Sequence, residues 1–100
     1  MSKKVLLACA AGLSTSMMVQ KMKEAAKKQG LDYEIWAQPV STAISKVNEV
    51  DYVLLGPQVR YELNRFLKES KETPVEVIDM KAYGTMNGEA VINAIKDKIK

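Results

Sequence analysis

The chain has 100 residues, 47% of them hydrophobic and 27% charged, with a net charge of +3. That is the length and balance of one globular domain, here residues 1–100, and it excludes a disordered, collagenous or low-complexity chain. The fifteen Lys and Arg residues are scattered with no run of five or six, so nothing points to nucleic acid as a partner. Histidine is absent, which removes Ser-His-Asp and Cys-His catalysis, His-ligated metals and a phosphohistidine on this chain. The one cysteine, Cys9, has no partner for an internal disulfide, so a reducing, cytoplasmic setting is expected. Val5-Leu6-Leu7-Ala8, after Lys3-Lys4, is far shorter than a signal h-region or a membrane span, so no targeting or membrane-inserted segment is expected.

In chain order, apolar and β-branched runs bounded by turn residues predict four strands, Lys4 to Ala8, Tyr33 to Ala37, Tyr52 to Leu55 and Val75 to Ile78. The run Val53-Leu54-Leu55 is continuous rather than alternating, as in a strand buried on both faces. Between and after the strands the period changes to 3.6. Met18, Met22, Ala25 and Ala26 form one stripe, and Val40, Ala43, Ile44 and Val47 a second. Val59, Leu63, Phe66 and Leu67 form a third, and Val91, Ile92, Ile95 and Ile99 a fourth. Gly30 stops the first helix, Pro57 stands where the third can begin, and Asn87-Gly88 opens the fourth. Lys68 to Thr73 reads as a helix end and loop.

This β-α order, repeated four times, predicts an α/β fold: a small doubly wound, four-stranded parallel sheet in the order 2-1-3-4 with helices on both faces. Ligands of such sheets bind beyond the carboxyl ends of the strands, where the first strand turns into the first helix. That turn is Cys9-Ala10-Ala11-Gly12-Leu13-Ser14-Thr15-Ser16. Ala10, Ala11 and Gly12 let the backbone approach a ligand closely, while Ser14, Thr15 and Ser16 are suited to cap the helix and offer hydroxyls. Successive amides there make an anion nest at a helix start, a place for phosphate that also favours a thiolate at Cys9. A thiolate in a nest can attack a phosphoryl group, whose oxygens the amides of residues 10 to 16 then hold. Taken one at a time, the features read more plainly: a cysteine ending an apolar strand is more often inert core, and Ser-Thr-Ser before a helix an ordinary cap. Their joint presence in one loop carries the chemical reading.

The loop resembles that of the low-molecular-weight tyrosine phosphatases, with signature C-x5-R-S/T. Thr15 stands in the arginine place, Ser16 in the Ser/Thr place, and no Asp-Pro dipeptide supplies a general acid. Hydrolysis of a phosphoenzyme is therefore poorly supported, and a phosphate would be kept for another acceptor.

Across essentially its whole length the chain resembles the enzyme IIB components of the lactose/cellobiose branch of the bacterial sugar phosphotransferase system. The residues that carry the resemblance are Cys9 to Ser16, Val53-Leu54-Leu55-Gly56-Pro57-Gln58, Pro74 to Asp79 and Tyr83-Gly84, with Ala10 where family members often have serine. The resemblance implies that Cys9 receives phosphate from a phosphohistidine of a IIA protein and passes it to a sugar bound in the membrane IIC protein. No cofactor is implied, and the chain would meet the membrane only by docking on IIC. A separate IIB of this size looks more like the cellobiose and chitobiose systems. The alternatives left open are a phosphatase or arsenate reductase built on the same loop, and a binding module with an inert Cys9. Gly56-Pro57-Gln58, Asp79 and Tyr83-Gly84 should lie on the same rim, but turn and helix-start chemistry accounts for them equally well. Met18 and Met22 are expected in the core, and Met17, one position off the stripe, at a docking surface. Charged outer helix faces make a monomer the simplest expectation.

Overall fold

A computed structural model describes residues 2–10 and 13–99, with backbone only for 13–15. The elements are β1 (Lys3–Cys9), α1 (Leu13–Lys28), β2 (Tyr33–Pro39), α2 (Val40–Ala43), β3 (Tyr52–Leu55), α3 (Leu63–Glu69), β4 (Val75–Val77), α4 (Met80–Gly84) and α5 (Gly88–Ile95). Two 3-10 segments join them, Ile44–Glu49 continuing α2 and Pro57–Glu62 leading into α3. All strand pairs are parallel, in the order β2-β1-β3-β4. The expected sheet and its order are therefore present.

Side chains alternate across the sheet with a period of two, and this splits the core into two layers. Val5, Leu7, Ile35, Tyr52 and Leu54 face α1, α4 and α5, where Met18, Met22, Ala82, Tyr83, Ile92 and Ile95 meet them. Leu6, Ala8, Val53, Leu55 and Val75 point the other way, onto Ala43, Val47 and Phe66. β1 lies between β2 and β3, and its residues 5–9 are buried on both faces, as a continuous apolar run requires.

Local chemistry sets the ends. After α1, Gly30 adopts φ +73°; its N–H reaches the Lys27 carbonyl and the Leu31 N–H reaches that of Ala26, the paired bonds of a Schellman motif. Asn87 opens α5 by accepting the Ala90 N–H at 3.0 Å. Gly88 is needed for a different reason: a Cβ there would stand 2.3 Å from the Lys21 carbonyl carbon, so only glycine lets α5 seat on α1.

Four expectations are corrected. The second crossover helix has only four α-helical residues before it tightens to 3-10 at Ile44. β-branched Val40, Thr42, Ile44 and Val47 weaken α-helix, and the Ser45 hydroxyl donates to the Thr42 carbonyl at 2.8 Å, a local bond that competes with the ladder. The third helix does begin at Pro57, as 3-10, but Val59 (φ −119°, ψ 27°) breaks it before α3. The break separates Val59 from the phase of α3, which buries Phe66 and leaves Leu67 47% exposed rather than in the core. Finally, Tyr83-Gly84 ends a helix instead of forming an isolated turn: Asp79 caps α4 by accepting the Ala82 N–H at 3.0 Å. Five residues are too few to show a period.

Candidate functional site

The carboxyl ends of the strands form one rim. Gly56 N–H donates to the Ala8 carbonyl at 3.0 Å, and Ile78 N–H to the Leu55 carbonyl at 2.9 Å, so the exits of β1, β3 and β4 lie side by side. The chain leaves β1 for β2 on one side and later returns to place β3 on the other, which makes the end of β1 the point of reversal. Cys9 is the last residue of β1 and is 7% exposed. Its Sγ donates to the Gln38 carbonyl at 3.7 Å, a weak contact of the kind a thiol makes.

Ala10 is exposed beside it, while Ala11 and Gly12 lie outside the described residues. The backbone of Leu13, Ser14, Thr15 and Ser16 forms the first turn of α1, and Ser16 is exposed; the side chains of 13–15 lie outside the described residues. Because the helix begins at Leu13, Ser14, Thr15 and Ser16 are not its caps: they belong to the turn itself, whose N–H groups have no carbonyl partner within the helix. That turn contains no acidic residue and the last turn carries Lys27 and Lys28, so the charges leave the positive end of the helix dipole open toward an anion.

The other rim residues have structural duties. Gly56 continues the ladder onto β1, and Pro57 is buried at the start of its 3-10 segment. Asp79 is occupied as a cap and Tyr83 is buried in the core. Met18 and Met22 are in the core and Met17 is exposed, as expected. Sequence reasoning missed two further exposed apolar residues, Tyr61 and Met80, which come after β3 and β4 in the chain. It also missed Gln38, because β2 runs to Pro39 rather than ending at Ala37, and the register Cys9↔Pro39 brings the end of β2 against the cysteine.

An open groove of about 690 Å³ lies at the opposite, amino-terminal end of the sheet, lined among others by Asn48, Asp51, Lys71 and Thr73. These side chains or their backbones are tied to one another: Asn48 bonds Glu69 and Lys71, Asp51 accepts the Lys4 N–H, and Thr73 bonds Val50. The groove joins loops, and its lining includes no cysteine. Among the described residues no cluster of three or more Cys, Asp or Glu could hold a metal ion, and no helix is long and apolar enough to cross a membrane.

Residues 4–94 match the family described as PTS system, Lactose/Cellobiose specific IIB subunit. The chain belongs to that family. The oligo-beta-mannoside-specific EIIB component of Bacillus subtilis is 46% identical over 88 residues, covering 86% of this chain and 85% of that protein. The cellobiose-specific EIIB component of Lactococcus lactis subsp. lactis is 38% identical over 102 aligned positions, covering 95% and 94%. Among solved structures, the cellobiose-specific IIB component of Borrelia burgdorferi has a TM-score of 0.79 at 37% identity, covering 99% of this chain and 93% of that one. The lactose-specific IIB domain of Streptococcus pneumoniae has a TM-score of 0.87 with full coverage of both chains, and at 13% identity it bears on the fold alone.

This IIB chain is thus a phosphotransferase component of sugar uptake that works with IIA and IIC components. The phosphatase and arsenate-reductase alternatives are not favoured by these matches.

Proposed function

We propose that Cys9 is the phosphoryl carrier of this IIB chain, loaded by a phosphohistidine of a IIA protein and unloaded onto a sugar held by the membrane IIC protein. The observation that carries the reading is the placement of the one sulfur nucleophile at the exit of the reversal strand, one short loop before the open amino end of α1. In the first step the sulfur attacks phosphorus in line with the departing imidazole nitrogen. An S–P bond forms, the P–N bond breaks, and the thiol proton leaves with the imidazole. In the second, a sugar hydroxyl attacks the same phosphorus, the S–P bond breaks, and the hydroxyl proton passes to the departing sulfur.

The amides of Ala10, Ala11, Gly12, Leu13, Ser14, Thr15 and Ser16 hold the phosphoryl oxygens in both steps. With Thr15 where a phosphatase has its arginine, no guanidinium clamps the group for attack by water, which favours retention until the sugar arrives. The sugar is a β-linked disaccharide such as cellobiose or chitobiose, a reading supported by the relatives specific for oligo-beta-mannoside and cellobiose, although another relative is galactose-specific. Residues 1–100 act as one carrier domain, a cytoplasmic monomer that reaches the membrane only by docking reversibly on IIC. It needs no cofactor.

The test is intact-mass spectrometry after incubation with phosphoenolpyruvate, the general phosphotransferase proteins and a cognate IIA. One phosphate adduct is expected that requires IIA and is absent from Cys9→Ser. An adduct that survives in Cys9→Ser, or turnover of a small phosphate ester without partners, refutes the assignment.

A further inference from the structure

The acceptor of the Cys9 thiol belongs to a residue whose side chain is bonded at both of its polar atoms. Gln38 is bonded at both ends of its side chain: Trp36 Nε1 donates to its Oε1 at 2.8 Å, and its Nε2 donates to Thr42 Oγ1 at 3.2 Å. Thr42 Oγ1 in turn donates to the Pro39 carbonyl at 3.2 Å, and the Thr42 carbonyl accepts from Ser45 Oγ at 2.8 Å. The chain of bonds runs one way only. Reversing the Gln38 amide would set its NH₂ against the indole N–H and its oxygen against a hydroxyl whose one proton is already given to Pro39. Trp36 and Gln38 are two residues apart on one strand, so both project onto the α2 face, while Cys9 lies opposite Pro39 on the neighbouring strand. The Gln38 backbone carbonyl is left against the sulfur.

We infer that Gln38 is a positioning residue for the phosphoryl step: the Trp36–Gln38–Thr42 clamp aims its carbonyl at Cys9 and couples the chemical state of the sulfur to the β2–α2 turn. This rests on the phosphocysteine reading above. A carbonyl oxygen attracts a sulfur that bears a proton. It repels one that carries the negative oxygens of a phosphoryl group. Loading therefore exchanges an attraction for a repulsion at a backbone carbonyl in the β1–β2 pairing whose side chain is bonded at both polar atoms, and the displacement passes along the clamp to the indole. Trp36 is the one tryptophan of the chain, so its emission reports that change without a label.

The experiment compares the Trp36 emission of the wild-type chain, Cys9→Ala and Cys9→Ser, each also in a Thr42→Val background, with masses recorded after the IIA incubation. The expected result is an emission maximum that shifts in Cys9→Ala, which has no donor, and stays in Cys9→Ser, whose hydroxyl can still donate. Thr42→Val removes the shift. It also slows adduct formation on Cys9 several-fold, and Thr42→Ser, which keeps the hydroxyl, restores the rate. Identical emission in wild type and Cys9→Ala, or a shift that persists with Thr42→Val, overturns the coupling. Emission that follows the clamp while no adduct forms on wild type supports the positioning and refutes the phosphocysteine reading, so the two failures are distinguishable.

Discussion

Replacing Gly88 by alanine adds one methyl group where the structure has no room for it. The new Cβ would stand 2.3 Å from the Lys21 carbonyl carbon and 2.5 Å from both the Lys21 oxygen and the Met22 nitrogen. Ordinary carbon contacts are about 3.5 to 4 Å, so α5 must retreat from α1 by roughly 1 Å or more. Neither helix can turn aside, because Met18, Met22 and Ala26 on one and Val91, Ile92 and Ile95 on the other pack into the same buried layer. If roughly 30 atom pairs across the contact each forfeit about a third of a ~0.15 kcal/mol well, ~1.5 kcal/mol is lost. Residual overlap brings the cost to about 2 to 3 kcal/mol, within the range measured for overpacked cores. For a domain of this size that lowers Tm by about 10 to 20 °C. Gly30→Ala is the internal comparison, since a Cβ there meets nothing within 4 Å and only its φ of +73° is unfavourable. That costs about 1 kcal/mol. Thermal melts followed by circular dichroism decide the matter: Gly88→Ala melting at or above Gly30→Ala refutes the packing argument.

Three other outcomes are expected. Tyr52 is fully buried with no side-chain or backbone partner for its hydroxyl among the described residues, so Tyr52→Phe should be neutral or stabilising by up to about 1 kcal/mol in denaturant unfolding, and a clear loss would refute this. Burial, and then the Asp97 carboxylate, raise the Tyr33 phenol above its ordinary 10.0. Its contribution is therefore whole below about pH 10 and lost as pH rises through the raised value. Wild type should therefore lose urea stability relative to Tyr33→Phe between about pH 8 and about pH 11, and a difference that does not move with pH would refute this. Met17 is exposed one turn into α1 on the Cys9 rim, so Met17→Asp should slow phosphoryl transfer from IIA several-fold without lowering Tm, and an unchanged rate would remove Met17 from the docking surface.

What the sequence discloses follows the range of the forces involved. The run Val53-Leu54-Leu55 is continuous and is buried throughout β3, Gly30 frees a left-handed helix stop, and Asn87 caps the start of α5; each of these is readable within a few residues. The second crossover defeats the same reasoning. Its apolar spacing suits an α-helix, but β-branched residues and the Ser45 bond to the Thr42 carbonyl tighten it, and a stripe read at 3.6 residues does not show that. Leu67 was misplaced by the break at Val59, which is invisible to a period counted across it.

The candidate site divides along the same line. Cys9 and the residues after it are one continuous loop, so their chemistry is written in order, whereas Gln38 meets Cys9 only through the pairing of β2 with β1. Neither Gln38 nor Thr42 belongs to a motif, and as isolated residues both read as ordinary polar positions near a strand end. Only the pairing of β2 with β1 sets the Gln38 carbonyl against the sulfur. A site read from a loop alone therefore yields the proposed nucleophile and the loop after it, and omits whatever the neighbouring strand brings to it. In parallel sheets of this order that neighbour always includes the exit of β2, since β1 is flanked by β2 on one side and β3 on the other.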